Sequence, residues 1–243
     1  MKIIKLDAID STNSFLKDLS RNSTLENFTT VVSKYQTKGR GQQGDYWISA
    51  DGKNLTFSTF VSFVSLELHQ HKYLNFAISI AILEVLKHLG VVNLKIKWPN
   101  DILAGNDKIS GILIENSTKN KKIQSSVIGI GINVNQLAFP IFNRNATSLK
   151  KCLQKDFDLK ELLNIFLKKI QIKVNLLNIG DFDALQEQYL NYLYKINVPT
   201  TFKDKENVLF MGIIIGISNN GKLRIRLEND SIKEFGIKEV SFA

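Results

Sequence analysis

The chain predicts an α+β protein: a mixed β-sheet with packed helices over residues 1–196, then a small all-β module over 197–243. Three observations predict it. Strand-like apolar runs alternate with two kinds of helical segment, one apolar on most sides (Tyr73 to Leu89) and others opened by capping residues at Asp10-Ser11 and Asp158. After Pro199 the texture changes to short alternating strands separated by Asn219-Asn220-Gly221 and Glu228-Asn229-Asp230. A chain of 243 residues, 44% hydrophobic, can bury a full core, whereas a module of about 45 residues stands near the lower limit for independent stability.

In order, Ile3-Ile4-Lys5-Leu6 is a short strand, and Asp10-Ser11-Thr12-Asn13 caps a helix near 13–20 with Phe15, Leu16 and Leu19 on one side. Residues 30–36 and 54–64 read as strands flanking a glycine-rich loop. The segment Tyr73–Leu89 is a buried helix stopped by Gly90. Strands follow at 94–98, 109–115 and 126–134, joined by turns containing Pro-Asn-Asp, Gly-Asn-Asp and Thr-Lys-Asn. Helices run from Asp158 to about Leu177 and from Asp181 to about Tyr194. The tail strands are 208–217, 222–227, 232–235 and 239–242, which read as a small β-barrel.

Composition excludes several functions. No apolar run has transmembrane length, and Met1–Leu6 is too short and too charged for a signal peptide. The single cysteine, Cys152, excludes an internal disulfide and fits a reducing cytoplasm. One cysteine and three scattered histidines (His69, His71, His88) argue against a zinc site, and no metal ligand is assigned. The net charge of +9 is carried by lysines spread along the chain, which suits attraction to an acidic protein partner better than a nucleic-acid footprint.

Four segments carry the chemistry. Ser11-Thr12-Asn13 presents short polar side chains beside free helix amides, an arrangement that either caps the helix or also binds a small polar ligand. Gln36 precedes the loop Gly39-Arg40-Gly41-Gln42-Gln43-Gly44-Asp45-Tyr46-Trp47, in which glycines free the backbone and one arginine offers a planar donor fork suited to carboxylate or phosphate. Arg40 is one of only five arginines among 32 basic residues. Lys97-Trp98-Pro99-Asn100-Asp101 is a turn at a strand end, followed by Lys108 and Gly111. Gly129-Ile130-Gly131-Ile132-Asn133 alternates glycines as a strand does where a ligand or another backbone comes close.

In this order and spacing these segments resemble the biotin–protein ligases, also called biotin–[acetyl-CoA-carboxylase] ligases. The resemblance rests on Ser11-Thr12-Asn13, Tyr35-Gln36-Thr37, Gly39-Arg40-Gly41, Trp47, Gly52 with Asn54-Leu55, Lys97 to Asp101, Lys108 with Gly111-Ile112-Leu113, and Gly129 to Asn133. It spans about residues 9–135; the tail is similar to the family's SH3-like barrel in position and texture only.

The resemblance implies a catalytic fold of the class II synthetase type and a two-step reaction. Biotin's carboxylate attacks the α-phosphate of Mg²⁺-bound ATP to give biotinyl-5′-AMP and pyrophosphate. A lysine of a biotin carboxyl carrier protein then attacks the mixed anhydride, releasing AMP. By matched position, Ser11, Thr12, Asn13, Gln36, Gly39, Arg40, Gly41, Gln42, Trp47, Lys108 and Gly111 would hold biotin. Arg40, Trp47, Asn100, Lys108 and Asn133 would hold ATP or the adenylate. Arg40 and Lys108 would be the catalytic cations, and Asp101 would accept a proton from the incoming lysine or orient its ammonium. Only ten residues precede Ser11, so a monofunctional ligase without a DNA-binding domain is expected, with a homodimer possible because relatives often associate through their sheets. Family loops often carry arginine where this chain has Gln42 and Asp45, which predicts a loosely held adenylate unless Lys38 or Lys53 compensates. The alternatives are a lipoate– or octanoate–protein ligase of the same fold, whose Arg-Arg-x-Ser-Gly-Gly-Gly pattern is missing, and a nucleic-acid-binding protein using Lys203, Lys205, Lys222, Arg224 and Arg226.

Overall fold

Apolar alternation assigns each face of the central sheet. In the computed structural model, which describes residues 1–140 and 145–243, strand β3 (Leu55–Glu67) turns Leu55, Phe57, Val61 and Phe63 into the main core and Thr56, Ser58 and Phe60 to the opposite side. Strand β7 (Lys122–Ile132) does the same with Ile128, Ile130 and Ile132 against Val127, Gly129 and Gly131. Helices α2 (His71–His88), α4 (Leu159–Asn178) and α5 (Phe182–Tyr192) pack on the apolar face. Helix α1 (Thr12–Asn22) lies on the other, beside the small and polar positions.

The sheet has seven strands in the order β1-β2-β3-β7-β6-β5-β4, with β1 (Ile3–Ile9), β2 (Thr30–Gln36), β4 (Leu94–Lys97), β5 (Asp101–Ala104) and β6 (Asp107–Lys119) completing it. Among the described strands only β1 and β2 pair in parallel, joined by the crossover through α1. Two elements differ from the sequence expectation here. The segment after Pro99-Asn100 is strand β5, paired on both edges, because the chain resumes extended geometry directly after the Trp-Pro-Asn turn. A short helix α3 (Leu149–Leu153), capped by Ser148 Oγ accepting from Lys151 N, precedes α4.

The tail is a five-stranded antiparallel sheet in the order β11-β10-β9-β8-β12, where β8 is Pro199–Asp204, β9 Leu209–Ile217, β10 Leu223–Leu227, β11 Ile232–Phe235 and β12 Val240–Phe242. Strand β8 was not expected; Pro199 stands at its first residue, where a missing N–H is tolerated. Among the described residues no β11–β12 pairing closes this sheet into a barrel. It is fastened to the first layer by Trp98 Nε1 donating to Gly221 O (3.1 Å) and Lys72 Nζ to Ser218 O (3.2 Å). No described helix is long and apolar enough to cross a membrane.

Candidate active site

The start of α1 is buried against β3. Ser11, Thr12 and Asn13 are each 3% exposed, and Ser11 Oγ caps the helix by accepting from Ser14 N. Gln36 Oε1 accepts from Thr12 N (2.8 Å) and Thr12 Oγ1 (3.1 Å). Ser58 Oγ lies 2.7 Å from Thr12 Oγ1 and 2.6 Å from Asn13 Oδ1. The Asn13 amide is oriented by its Nδ2, which donates to Leu113 O and Glu115 Oε2. Two hydroxyl protons, on Thr12 and Ser58, thus serve three close contacts, so this buried cluster keeps spare acceptor capacity.

The glycine loop is a small hairpin. Arg40 and Tyr46 bridge, Trp47 N donates to Gly39 O (3.0 Å), and Gly41 N donates to Asp45 O (2.6 Å). Side chains at Gly39 and Gly41 would meet the returning strand's backbone, which explains glycine at both. The Arg40 fork is engaged: Nη1 and Nη2 donate to Glu115 Oε2 (3.2 Å) and Oε1 (3.1 Å), and Nη1 also to Ser14 Oγ (3.2 Å). Lys17 Nζ adds a third cationic contact to Glu115 at 2.9 Å. Burial pushes the Glu115 carboxyl up, but hydrogen bonds from Lys17, Asn13 and Arg40 together with Arg40's charge hold it below the usual glutamate value.

Trp47 lies across β6 and β7. Any Cβ at Gly131 would overlap its indole and one at Gly111 would crowd it, while one at Gly129 would overlap the Asn13 amide. The alternating glycines are therefore the bed on which Asn13 and Trp47 rest. Trp47 Nε1 is buried without a partner among the described residues.

At the far end, Asn75 Nδ2 donates to Pro99 O (2.6 Å), and Asn100 Nδ2 donates to Ile112 O (2.7 Å). These bonds fix the turn that delivers Asp101, whose Oδ1 lies 2.6 Å from Lys108 Nζ. That contact lacks the alignment of a hydrogen bond, leaving a close ion pair whose carboxylate still has acceptor capacity. Lys108 Nζ is also 5.7 Å from the Trp47 ring centroid.

These groups surround a cavity of about 460 Å³, within the range of small-ligand sites. Ser11, Thr12, Asn13, Gln36, Arg40, Gly41, Gln42, Trp47, Asn100, Asp101, Lys108 and Gly111 all line it. Gly39 and Asn133 do not. Gly39 acts through its backbone, and Asn133, 3% exposed, donates from Nδ2 to Lys108 O (3.4 Å), holding the strand that carries the lysine. Among the contributors that escaped the sequence reading are Ser58, Glu115, Lys238 and Phe242. Ser58 on β3 and Glu115 on β6, the strands either side of β7, have no motif of their own. Lys238 and Phe242 come from the tail, whose turn and last strand form one wall. Only the period-2 pattern of β3, with serine among outward positions, could have pointed to one of them, Ser58.

Residues 6–133 match the family described as biotin/lipoate A/B protein ligases. The chain is 30% identical over 236 residues to the bifunctional ligase/repressor BirA of Escherichia coli, covering 93% of this chain and 69% of that protein. It is 31% identical over 151 residues to the biotin–[acetyl-CoA-carboxylase] ligase of Mycobacterium tuberculosis, covering 60% and 54%. The fold superposes on the biotin protein ligase of Aquifex aeolicus solved with biotin and ATP, with a TM-score of 0.81, 28% identity, and coverage of 100% of this chain and 98% of that one. The four chemistry-bearing segments that line the cavity lie within the matched span, the tail wall lies outside it, and the chain belongs to the biotin/lipoate A/B protein ligase family.

Proposed function

We propose that this protein is an ATP-dependent biotin–protein ligase that forms biotinyl-5′-AMP and transfers the biotinyl group to a lysine of a biotin carboxyl carrier protein. The observation that carries the reading is the single cavity lined by all four chemistry-bearing segments, polar and acceptor-rich at one end and bearing a lysine–aspartate pair at the other. The relatives named as biotin ligases support it.

In this reading the ureido ring meets the Ser11-Thr12-Asn13 cluster with Ser58 behind it, where spare acceptors suit its N–H groups. The Trp47 indole packs on the ligand. Lys108 holds the carboxylate near the α-phosphate and stabilises the charge growing on the phosphoryl oxygens as pyrophosphate leaves. Arg40, its fork bound to Glu115, orders the loop in this conformation, with Gly41 and Gln42 beside it on the cavity wall. In the second step the acceptor amine attacks the anhydride carbonyl. Asp101, already beside one ammonium, is placed to orient or deprotonate the other while AMP departs. Mg²⁺, when bound with ATP, would supply screening of the phosphate charge.

The test is biotin-dependent exchange of labelled pyrophosphate into ATP, run in parallel with lipoate and octanoate. Exchange with biotin alone is the expected result. Exchange with the other acids only, or with none, would overturn the reading.

A further inference from the structure

The tip of the glycine loop and the last turn of the tail sheet meet at the cavity. Between β11 and β12, Glu239 N donates to Gly236 O (3.1 Å), and Gly236 N donates to Glu239 Oε2 (2.5 Å), so the turn is tied to itself. Lys238 stands in this turn with φ 63°, and its Nζ donates to Gln43 O (2.8 Å) and Asp45 Oδ1 (3.0 Å). Ile237 and Lys238 line the cavity opposite Gln42 and Asp45. The loop's one arginine is bound to Glu115, so Lys238 is the cation that meets the tip. Without it, the Asp45 carboxylate would face a triphosphate across the cavity as an uncompensated like charge.

We propose that Lys238 is a positioning residue of the adenylation site: it clips the glycine-loop tip over the cavity and neutralises Asp45 toward the nucleotide. The proposal rests on the ligase reading for its kinetic consequences and on the contacts alone for the clip itself. The pair is exposed, with side chains 50% and 66% accessible, so its effect is modest and salt-sensitive.

The experiment compares wild type, Lys238→Ala, Lys238→Arg and the charge swap Asp45→Lys/Lys238→Asp. In Lys238→Ala, release of biotinyl-5′-AMP and the KM for ATP are each expected to rise roughly two- to fivefold, and the difference to vanish at high salt. Lys238→Arg and the charge swap are expected to restore both. Wild-type release and KM in Lys238→Ala, or a charge swap as impaired as the single variant, would overturn the proposal. Trypsin cleavage after Arg40 in the ligand-free protein gives a readout independent of the reaction. It is expected to quicken in Lys238→Ala and return to the wild-type rate in Lys238→Arg. If wild type makes no adenylate, the ligase reading fails, while unchanged cleavage in Lys238→Ala would sink the clip alone.

Discussion

Glu115 gathers more of the site than any other single side chain, joining α1 through Asn13 and Lys17 to the glycine loop through Arg40. Its carboxyl is held below the ordinary glutamate value, so its stabilisation is full above that value and is lost as pH falls through the lowered one. The melting-temperature gap between wild type and Glu115→Gln is therefore expected to be clear at pH 7 and to shrink as the pH drops below about 4; a gap independent of pH would show that the charge is irrelevant. Lys108 is different in kind, because in the proposed reaction its partner Asp101 serves the chemistry rather than the fold. Lys108→Ala should lower the adenylation rate by about 10²–10³-fold, as removal of a preorganised charge does, with near-UV circular dichroism unchanged. Tyr189 offers a residue-scale gain. Its ring stacks on Phe76 at 4.0 Å, and its hydroxyl is buried with no partner among the described residues, which pushes its titration far up. Removing an unsatisfied buried hydroxyl recovers its desolvation cost, so Tyr189→Phe is expected to add about 1 kcal/mol in urea unfolding.

At the scale of elements, β7 is a strand whose two faces have different tasks. Ile128, Ile130 and Ile132 fill the core, and Gly129 and Gly131 leave room for Asn13 and Trp47. Gly131→Ala keeps the strand and lifts the indole from its bed. Overpacking of this kind costs about 1–3 kcal/mol, so biotin affinity should fall about tenfold and tryptophan emission should shift; an unshifted spectrum with unchanged affinity would refute the bed. This element also shows what the sequence disclosed and what it withheld. The alternating glycines announced a close approach, and the Gly-Arg-Gly and Lys-Trp-Pro-Asn-Asp segments announced two more walls, because each is a local pattern with a local physical reason. What approaches Gly131 is set by Trp47, 84 positions earlier, and what holds Arg40 is Glu115, 75 positions later. No local pattern encodes such pairings. Strand β5 stayed hidden for a related reason: its four residues follow a turn and become a strand only by pairing with β4 and β6.

The whole molecule is two sheets over one continuous core. Phe202, Ile214, Leu223 and Phe235 of the tail belong to the same apolar cluster as Phe76, Phe166 and Tyr189 of the larger layer. At the seam Lys72, 4% exposed, is bound to the neutral acceptors Gln186 Oε1 and Ser218 O, and Trp98 donates to Gly221 O. Trp98 thus belongs at once to the site and to the junction, and the cavity has a wall from each sheet. A tail of about 45 residues buries too little of its own surface to stand alone, so its stability is drawn from this shared core. Phe202, 1% exposed, stacks on Phe210 at 5.6 Å and meets Phe242 at a tilt at 5.4 Å, and Phe242 lines the cavity. Phe202→Ala should cost about 3–5 kcal/mol. Because the core is continuous, that loss is expected to lower the one unfolding transition seen both by tryptophan emission and by far-ultraviolet circular dichroism. Two transitions, with Phe202→Ala moving only one, would mean that the sheets fold as separate units and that the cavity is assembled by docking rather than by folding.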